Sequence, residues 1–428
     1  MISSLSPLYF WKHLSPSLKR LLVLLIVAFV DMMGLMIIWP LLPLYATNLK
    51  ATPAVVGLLV ASFPVAQLIA SPIWGYVSDR YGRRPALLVG LGSSAVAYVV
   101  FAFAPTVWLL FLSRFVQGLG GGTTGVVQAY VADTMLPKER AKALGWISAA
   151  TSAGVVVGPA IGSFMHRFGD AAPGLFGAVL VLINVAFAWK WLPESRWAQV
   201  GVAHYTPQGV RQVTLRDAYQ NITKPAGKVL SEPGSPISLL IWIYTFAMLG
   251  FNALPPIFSL YLHDKFGISV DQIGYFFMIF GVVGVVMRAA PVGWFNARFG
   301  EVKTMRIGAT LLFAGFILVP LAPTLPIFVM TQILLPLGTA LVFPANSALV
   351  SHRADPKQIG VTMGVQQTYR GLAAIFGPVY AGWAYGALGH TVPFYMSAGI
   401  VVFVFLLMML VEVDTPVPTV AAVRTPAA

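Results

Sequence analysis

The feature of this sequence that most limits its fold is a series of apolar segments, each about 20 residues long. A helix of that length crosses the hydrocarbon core of a bilayer. Of the 428 residues, 58% are hydrophobic and only 10% are charged, so the chain lacks the polar surface of a soluble protein. The sequence therefore predicts an all-α polytopic membrane protein with twelve spans. Their approximate bounds are 21–46, 54–74, 85–104, 108–132, 142–164, 173–192, 237–262, 271–293, 304–322, 326–350, 358–385 and 391–412.

The positions of the basic residues between the spans predict the orientation of the chain. With the N-terminus inside, only Lys50, Arg167 and Lys265 fall on the outer side, and Arg114 and Arg370 fall within spans. The other 22 of the 27 Lys and Arg residues lie in loops or span ends on the inner side. Because basic residues concentrate in cytoplasmic loops, we predict an inner-membrane protein with both termini in the cytoplasm. The net charge of +13 thus reflects topology, and we expect no binding of nucleic acid.

A weak internal repeat relates the two halves of the chain. The segment Gly75–Gly82 matches Gly293–Gly300, and Gly158-Pro159 matches Gly377-Pro378, at an offset of about 216–219 residues. Such repeats are common in secondary transporters, whose substrate site lies near the midplane between them. The predicted domains are an N-terminal six-helix bundle at 1–192, a cytoplasmic linker at 193–236 with a short helix around Val213–Tyr219, a C-terminal six-helix bundle at 237–414, and a disordered tail at 415–428.

The loop between spans 2 and 3 carries the motif Gly75-Tyr-Val-Ser-Asp-Arg-Tyr-Gly-Arg-Arg84. Gly75 permits a close approach of helices, and Gly82 permits a tight turn. Asp79 either accepts hydrogen bonds from the N-terminus of span 3 or pairs with nearby arginines. The motif resembles the loop signature of the major facilitator superfamily, and the resemblance extends along most of the chain. It implies the fold of that superfamily, in which two six-helix bundles surround a central solute pathway. The motif residues are Gly75, Asp79, Arg80, Gly82, Arg83 and Arg84.

Three further patches resemble the drug:proton antiporter branch of that superfamily. Span 1 has Asp31-Met-Met-Gly34, span 4 has Arg114-Phe-Val-Gln-Gly-Leu-Gly120, and span 5 has a glycine-rich segment similar to the antiporter motif. Ser163 replaces the final glycine of that motif. Small residues four apart also form ordinary packing faces, so a purely structural role for span 5 stays open. The antiporter-like positions are Gly154, Gly158, Pro159 and Gly162.

Asp31 is the only acidic residue well inside a predicted span. An ionised carboxylate at mid-membrane costs about 3 kcal/mol even on forgiving insertion scales, so such residues usually face a cavity and function there. Burial also favours the protonated form. We therefore hypothesise that Asp31 takes up and releases a coupling proton. The structural alternative is an aspartate that pairs with an arginine or caps polar backbone.

Two cations are also embedded, Arg114 in span 4 and Arg370 in span 11. Neither is stable unpaired in lipid, so both should face protein or a cavity. The resemblance implies that Arg114 serves proton coupling or helix positioning. For each of them the alternative is a hydrogen-bond hub to backbone carbonyls.

Other candidate residues fall at the cytoplasmic end and in the cavity. The resemblance implies that Asp133 and Arg140, beside the loop of Asp79, form a charge cluster that latches the cytoplasmic side in the outward-open state. Spans 1, 4, 7 and 10 line the central cavity in this fold. The candidate cavity residues on those spans and span 11 are Trp39, Gln117, Asn252, Gln332, Asn346, Gln366 and Arg370.

The functional prediction is a secondary transporter that exports small amphipathic compounds in exchange for protons. We find no catalytic motif and no cysteine, and expect no enzyme activity, metal or cofactor, with the proton gradient as energy source. The expected partners are a small-molecule substrate, protons and the lipid bilayer, and we expect a monomer. Tetracycline exporters are most similar, yet Ala97 stands where they carry an acidic residue. A dedicated metabolite or nutrient carrier, or a non-transporting membrane sensor, are the alternatives.

Overall fold

The computed structural model describes residues 16–121, 123–195, 215–289, 291–356 and 358–412. Helices form almost all of this part of the chain, which contains no β-strand. The predicted tail at 415–428 and most of the linker before Leu215 lie outside the described residues. The helices are α1 (Pro16–Ile38), α2 (Leu42–Asn48), α3 (Pro53–Tyr81), α4 (Arg83–Ala102), α5 (Val107–Gly120), α6 (Thr123–Thr134), α7 (Pro137–His166), α8 (Ala172–Trp191), α9 (Leu215–Ser231), α10 (Pro236–Asn252), α11 (Leu254–Phe266), α12 (Val270–Ala289), α13 (Pro291–Phe299), α14 (Glu301–Leu321), α15 (Leu325–Gln332), α16 (Leu334–Arg353), α17 (Ile359–Ala387) and α18 (Val392–Met409).

Ten segments of the described chain are long and apolar enough to cross a membrane. They correspond to all the predicted spans except 4 and 11. Span 4 is divided into α5 and α6, whereas α17 has 29 residues but carries Gln366, Gln367 and Arg370, which lower its hydropathy. Spans 1 to 6 are α1–α2, α3, α4, α5–α6, α7 and α8, and spans 7 to 12 are α10–α11, α12–α13, α14, α15–α16, α17 and α18.

Spans 1, 4, 7 and 10 are interrupted, although the apolar pattern predicts continuous helices. Span 1 breaks before Leu42, next to Pro40 and Pro43, and span 7 breaks at Ala253, just before two prolines. Proline removes a backbone donor and clashes with the preceding turn, so a helix ends there readily. In span 4 the first helix ends at Gly120 and the second begins at Thr123. Discontinuous helices of this kind often form the binding sites of transporters.

Each set of six spans packs mainly within itself. In the first set α1 packs on α7 and α8, and α4 packs on α5 and α8; in the second, α14 packs on α16 and α18, and α10 packs on α17 and α18. The two halves meet along α3 with α17 and along α7 with α12.

Close contacts between the halves lie near one end of the bundle. We call the end that carries the 75–84 loop the basic end and the opposite one the distal end. Near the distal end a Cβ at Gly57 of α3 would collide with the carbonyl of Pro378 in α17. Ser259 donates a hydrogen bond of 2.9 Å to the carbonyl of Pro40 there. The backbones of the two halves therefore approach each other closely at the distal end.

Helix α9 of the linker lies beside both halves. The Tyr219 hydroxyl donates to the carbonyl of Ile69 in α3 over 2.7 Å, and the Tyr369 hydroxyl of α17 donates to the carbonyl of Ala226 over 3.1 Å. This helix begins near the predicted surface helix at Val213–Tyr219 but continues to Ser231.

Candidate functional site

Asp31 is held in the N-terminal half by a residue from the break in span 4. Thr123, the first residue of α6, donates from Oγ1 to Oδ2 of Asp31 over 3.2 Å. This bond places the start of α6 beside the middle of α1. Asp31 is partly buried, and no Lys or Arg of the described chain forms an ion pair with it. In this conformation Asp31 is therefore not paired with an arginine, which was one of the structural alternatives.

Tyr98 of α4 lies next to Asp31 and is fully buried. Its hydroxyl accepts a hydrogen bond of 2.7 Å from Nε2 of Gln117. A Cβ at Gly34, one turn after Asp31, would be 3.0 Å from that hydroxyl, so glycine leaves the room that the tyrosine occupies. These contacts join α1, α4 and α5 into one polar cluster around the carboxylate.

Arg114, one turn before Gln117 on α5, has only 2% of its surface exposed. Its Nε and Nη2 atoms have no hydrogen-bond partner among the described residues, and Cζ lies 5.4 Å from the centroid of the Phe101 ring. An arginine that binds several backbone carbonyls would donate hydrogen bonds from these atoms, and neither atom donates one within the described chain. A buried cation without an acceptor is costly, and such costs are typical of functional positions.

The glycines of span 5 pack directly on span 1. A Cβ at Gly154 would lie 2.7 Å from the carbonyl oxygen of Phe29, and a Cβ at Gly158 would lie 2.7 Å from that of Met33. At Gly162 it would overlap the carbonyl of Ile37. The motif therefore sets the closest approach of α7 to the helix that carries Asp31. Pro159 and Ser163 lie instead against Gly274 of α12, across the boundary between the halves.

Charged residues at the basic end form a cluster centred on Arg83. Its Nη1 lies 2.5 Å from Oδ1 of Asp79, and its Nε lies 3.0 Å from Oδ2 of Asp133. Of the two roles considered for Asp79, the structure thus has the pairing with arginine. The N-terminus of α4 is served instead by Glu194, whose carboxylate accepts from the backbone N–H groups of Arg83 and Arg84 at 2.9 and 3.1 Å.

The remaining residues of the loop motif have separate surroundings. Gly82 has φ of +110°, and a Cβ there would collide with the Glu194 carboxylate, so both conformation and space require glycine. Gly75 has open space around it and makes no close helix approach in this conformation. Arg80 donates to the hydroxyl of Tyr76 over 2.5 Å, and Arg140 donates to the carbonyl of Met135 over 3.1 Å. Arg84 donates to the carbonyl of Trp189.

Three of the candidate cavity residues are fully buried inside the C-terminal half: Gln332, Asn346 and Gln366. Asn346 donates to the carbonyl of Leu240 over 3.1 Å and accepts from Nε2 of Gln366 over 3.0 Å, which links spans 7, 10 and 11. Neither amide atom of Gln332 has a partner among the described residues. In this conformation none of the three has exposed surface, so contact with a substrate would require another conformation.

Trp39, Asn252 and Arg370 retain exposed surface. The Trp39 ring of span 1 lies 6.3 Å from that of Phe277 in α12, across the boundary between the halves. Asn252 donates to the carbonyl of Met248 within its own helix. Arg370 donates to Oε1 of Gln367 over 3.2 Å.

Sequence reasoning missed Tyr98, Thr123 and Glu194. Tyr98 and Thr123 are ordinary residues of apolar spans, and nothing in their spacing connects them to Asp31. Glu194 offers a weak signal, because it is the first acidic residue after span 6 and precedes a polar stretch. Its hydrogen-bond partner Arg84 is 110 residues away in the sequence, so local patterns do not connect the two.

Comparison with known proteins agrees with this architecture. The family model of the Major Facilitator Superfamily matches residues 24–227 and 240–427, which is most of the chain. This chain belongs to the major facilitator superfamily. Members of that superfamily are multi-pass membrane transporters of small molecules and not enzymes.

Curated relatives of this major facilitator protein cover most of its length. Multidrug resistance protein 2 of Bacillus subtilis is 30% identical over 369 residues, which cover 84% of this chain and 87% of that protein. The class G tetracycline resistance protein of Vibrio anguillarum is 27% identical over a match that covers 84% of this chain and 88% of that protein. Among solved structures, the human organic anion transporter MFSD10 has a TM-score of 0.66 at 22% identity and covers 92% of this chain and 100% of that one. A bacterial homologue of the lysosomal transporter Spinster has a TM-score of 0.74 at 14% identity. The match covers 93% of this chain and 98% of that one.

Proposed function

We propose that this transporter exports small amphipathic compounds in exchange for protons, and that Asp31 carries the proton. The observation behind this proposal is the surroundings of Asp31. The carboxylate lies mid-span, is hydrogen-bonded by Thr123 and has no cationic partner in the described chain. Such a group gains and loses a proton without having to break an ion pair. Arg114, buried nearby without an acceptor, is the partner that we assign to the same proton-coupling unit.

We infer further that the basic end faces the cytoplasm and that the protein lies in the cell inner membrane. The concentration of Lys and Arg in the loops of that end supports this orientation. The close contact of the halves near the distal end supports an inward-facing state of an alternating-access cycle. The Arg83 cluster belongs to the N-terminal half alone in this state, as expected of a latch that engages the other half only when the cytoplasmic side closes.

The similarity to multidrug and tetracycline resistance proteins supports export of drug-like compounds. One observation favours a narrower, dedicated carrier instead. Ala97, where tetracycline exporters carry an acidic residue, is completely buried here. The site beside Tyr98 therefore lacks the second carboxylate of those exporters.

The test uses inside-out vesicles with an acidic interior, to which lipophilic cations, neutral antibiotics and organic anions are added in turn. We expect some compounds to collapse the proton gradient with the wild type. With Asp31→Asn the response should fall at least about tenfold, which corresponds to about 1.4 kcal/mol, because the amide cannot carry a proton. Asp355→Asn, an exposed loop carboxylate, is the matched control and should behave as the wild type.

Two outcomes would count against the proposal. An undiminished response with Asp31→Asn would exclude this residue from the proton path. No response of the folded wild type to any compound would favour the dedicated carrier.

A further inference from the structure

Arg370 lies on the side of α17 that faces the cavity. Successive residues of an α-helix are rotated by about 100°. This rotation places Arg370 and Gln367 opposite the exposed apolar residues of the same helix, which are Val361, Phe376 and Trp383. The apolar side suits lipid, whereas an arginine at mid-span cannot be stable there. The polar side is bounded by Gly371, against Leu68 of α3, and by Gln366, which is bonded to span 10.

Arg370 and Asp31 both lie towards the middle of their spans, in different halves of the chain. Gly371, adjacent to Arg370, lies next to Leu68 of α3. Gln67, the neighbour of Leu68, donates to the carbonyl of Gly121 over 2.9 Å, two residues before the Thr123 that binds Asp31. A short series of contacts through α3 thus connects the surroundings of the two embedded charges.

Arg370 also has spare hydrogen-bonding capacity. Its bond is to the neutral Gln367, and no carboxylate of the described chain lies within ion-pair distance. Arg114, in contrast, is completely enclosed, and Asp31 is partly buried. Among the described side chains Arg370 is thus the exposed charge at mid-depth, and it makes this part of the pathway positive.

Aromatic side chains lie between the halves on the distal side of Asp31. The rings of Trp39 and Phe277 meet across the halves at 6.3 Å, and Phe251 lies 6.0 Å from Phe280. All four are partly exposed. Trp39 is eight residues beyond Asp31, which is about 12 Å along a helix. A molecule of roughly 10 Å would therefore extend from the level of Arg370 to these rings.

We propose that Arg370 is the recognition site for an anionic group of the substrate, a carboxylate or a similar planar oxyanion, whose aromatic body packs against the distal rings. A guanidinium presents paired donors that match the two oxygens of a carboxylate. The proposal deepens the transport function above and rests on it, and it makes organic anions the preferred substrates.

The test compares three probes that share one ring system and differ in charge: naphthalene-2-carboxylate, 2-naphthamide and 2-naphthylmethylammonium. Their binding to the purified full-length protein is measured by equilibrium dialysis. We expect the wild type to bind the carboxylate most tightly. Arg370→Gln should weaken carboxylate binding by about 10- to 100-fold, because one charged hydrogen-bonded pair is lost, and leave the amide unchanged. Arg370→Lys should retain part of the preference.

Arg298→Gln is the matched control, since it removes an exposed arginine at the basic end. Equal affinity of the wild type for carboxylate and amide would overturn the proposal, and so would unchanged carboxylate binding by Arg370→Gln. If Arg370→Gln fails to fold, the neutral Arg370→Met takes its place, and unchanged carboxylate binding by that variant would overturn the proposal too.

The vesicle assay separates this proposal from the proton antiport. Arg370-dependent binding of the carboxylate with no proton exchange would support the anion site and contradict antiport. Proton exchange driven only by neutral or cationic compounds, equal in wild type and Arg370→Gln, would support antiport and contradict the anion site.

Discussion

Glu194 illustrates how one side chain connects distant parts of this protein. It follows span 6 and accepts hydrogen bonds from the first backbone N–H groups of α4. An anion at a helix N-terminus is favourable because those N–H groups lack partners within the helix and carry partial positive charge. Glu194 also occupies the space that Gly82 leaves open. The start of the linker is thereby fixed to the loop motif.

We predict that Glu194→Gln lowers the free energy of unfolding by about 0.5–1 kcal/mol, because the amide keeps one acceptor but loses the charge. The change is measured by thermal unfolding of the detergent-solubilised protein. Glu232→Gln, at an exposed pair with Lys228, is the control and should change little. Equal stability of both variants would mean that the charge of Glu194 contributes nothing.

At the scale of elements, the contact between α1 and α7 depends on residues without side chains. Gly154, Gly158 and Gly162 are four apart and therefore share one face of α7. Each meets the backbone of α1 or the root of one of its side chains. The position of the Asp31 helix is thus set by how closely this face allows two backbones to approach.

We predict that Gly158→Ala destabilises the protein by about 1–3 kcal/mol, the usual cost of overpacking. The new methyl group would lie 2.6 Å from Cβ of Met36 and 2.7 Å from the carbonyl oxygen of Met33, neither of which can move away easily. Gly145→Ala is a matched control on the same helix, because its Cβ would meet nothing within 4 Å. Thermal unfolding of the two variants is compared; similar midpoints would contradict the role of this face.

The breaks in the spans belong to the same scale. In span 4 the second helix begins at Thr123, whose hydroxyl donates to Asp31. The prolines of spans 1 and 7 are visible in the sequence, but the direction that each second helix takes depends on its neighbours.

For the whole molecule, side-chain hydrogen bonds link the two halves at the distal end. Ser163 of α7 bridges the halves at the distal end: its hydroxyl donates to the carbonyl of Val270 over 2.7 Å and accepts from the backbone N–H of Gly274 over 2.8 Å. This is the residue that departs from the antiporter motif of the branch. A serine there adds two hydrogen bonds between the halves that glycine would not provide.

We predict that Ser163→Ala shifts the population towards a state open at the distal end by several-fold, because each lost bond is worth about 0.5–1.5 kcal/mol. The chain contains no cysteine, so cysteines introduced at the exposed Arg167 and Leu388 can be spin-labelled selectively and their distance distribution measured. Ser148→Ala, at an exposed position of the same helix, is the control. Identical distance distributions in wild type and Ser163→Ala would contradict a stabilising role of the Ser163 hydrogen bonds.

The sequence by itself determined the multi-pass, all-α architecture and the positions of the embedded charges. Transfer of apolar residues into lipid is a local property of about 20 consecutive residues, and one charge in such a segment is evident without any structure. The duplication and the roles of Asp31 and Arg370 stay predictions.

Only the tertiary structure decided which of these residues meet. It joined Thr123 and Tyr98 to Asp31, left Nε and Nη2 of Arg114 without an acceptor among the described residues, and buried Gln332, Asn346 and Gln366. It also brought the two halves together near the distal end. These features depend on how helices far apart in sequence pack, and no local pattern of residues encodes such long-range contacts.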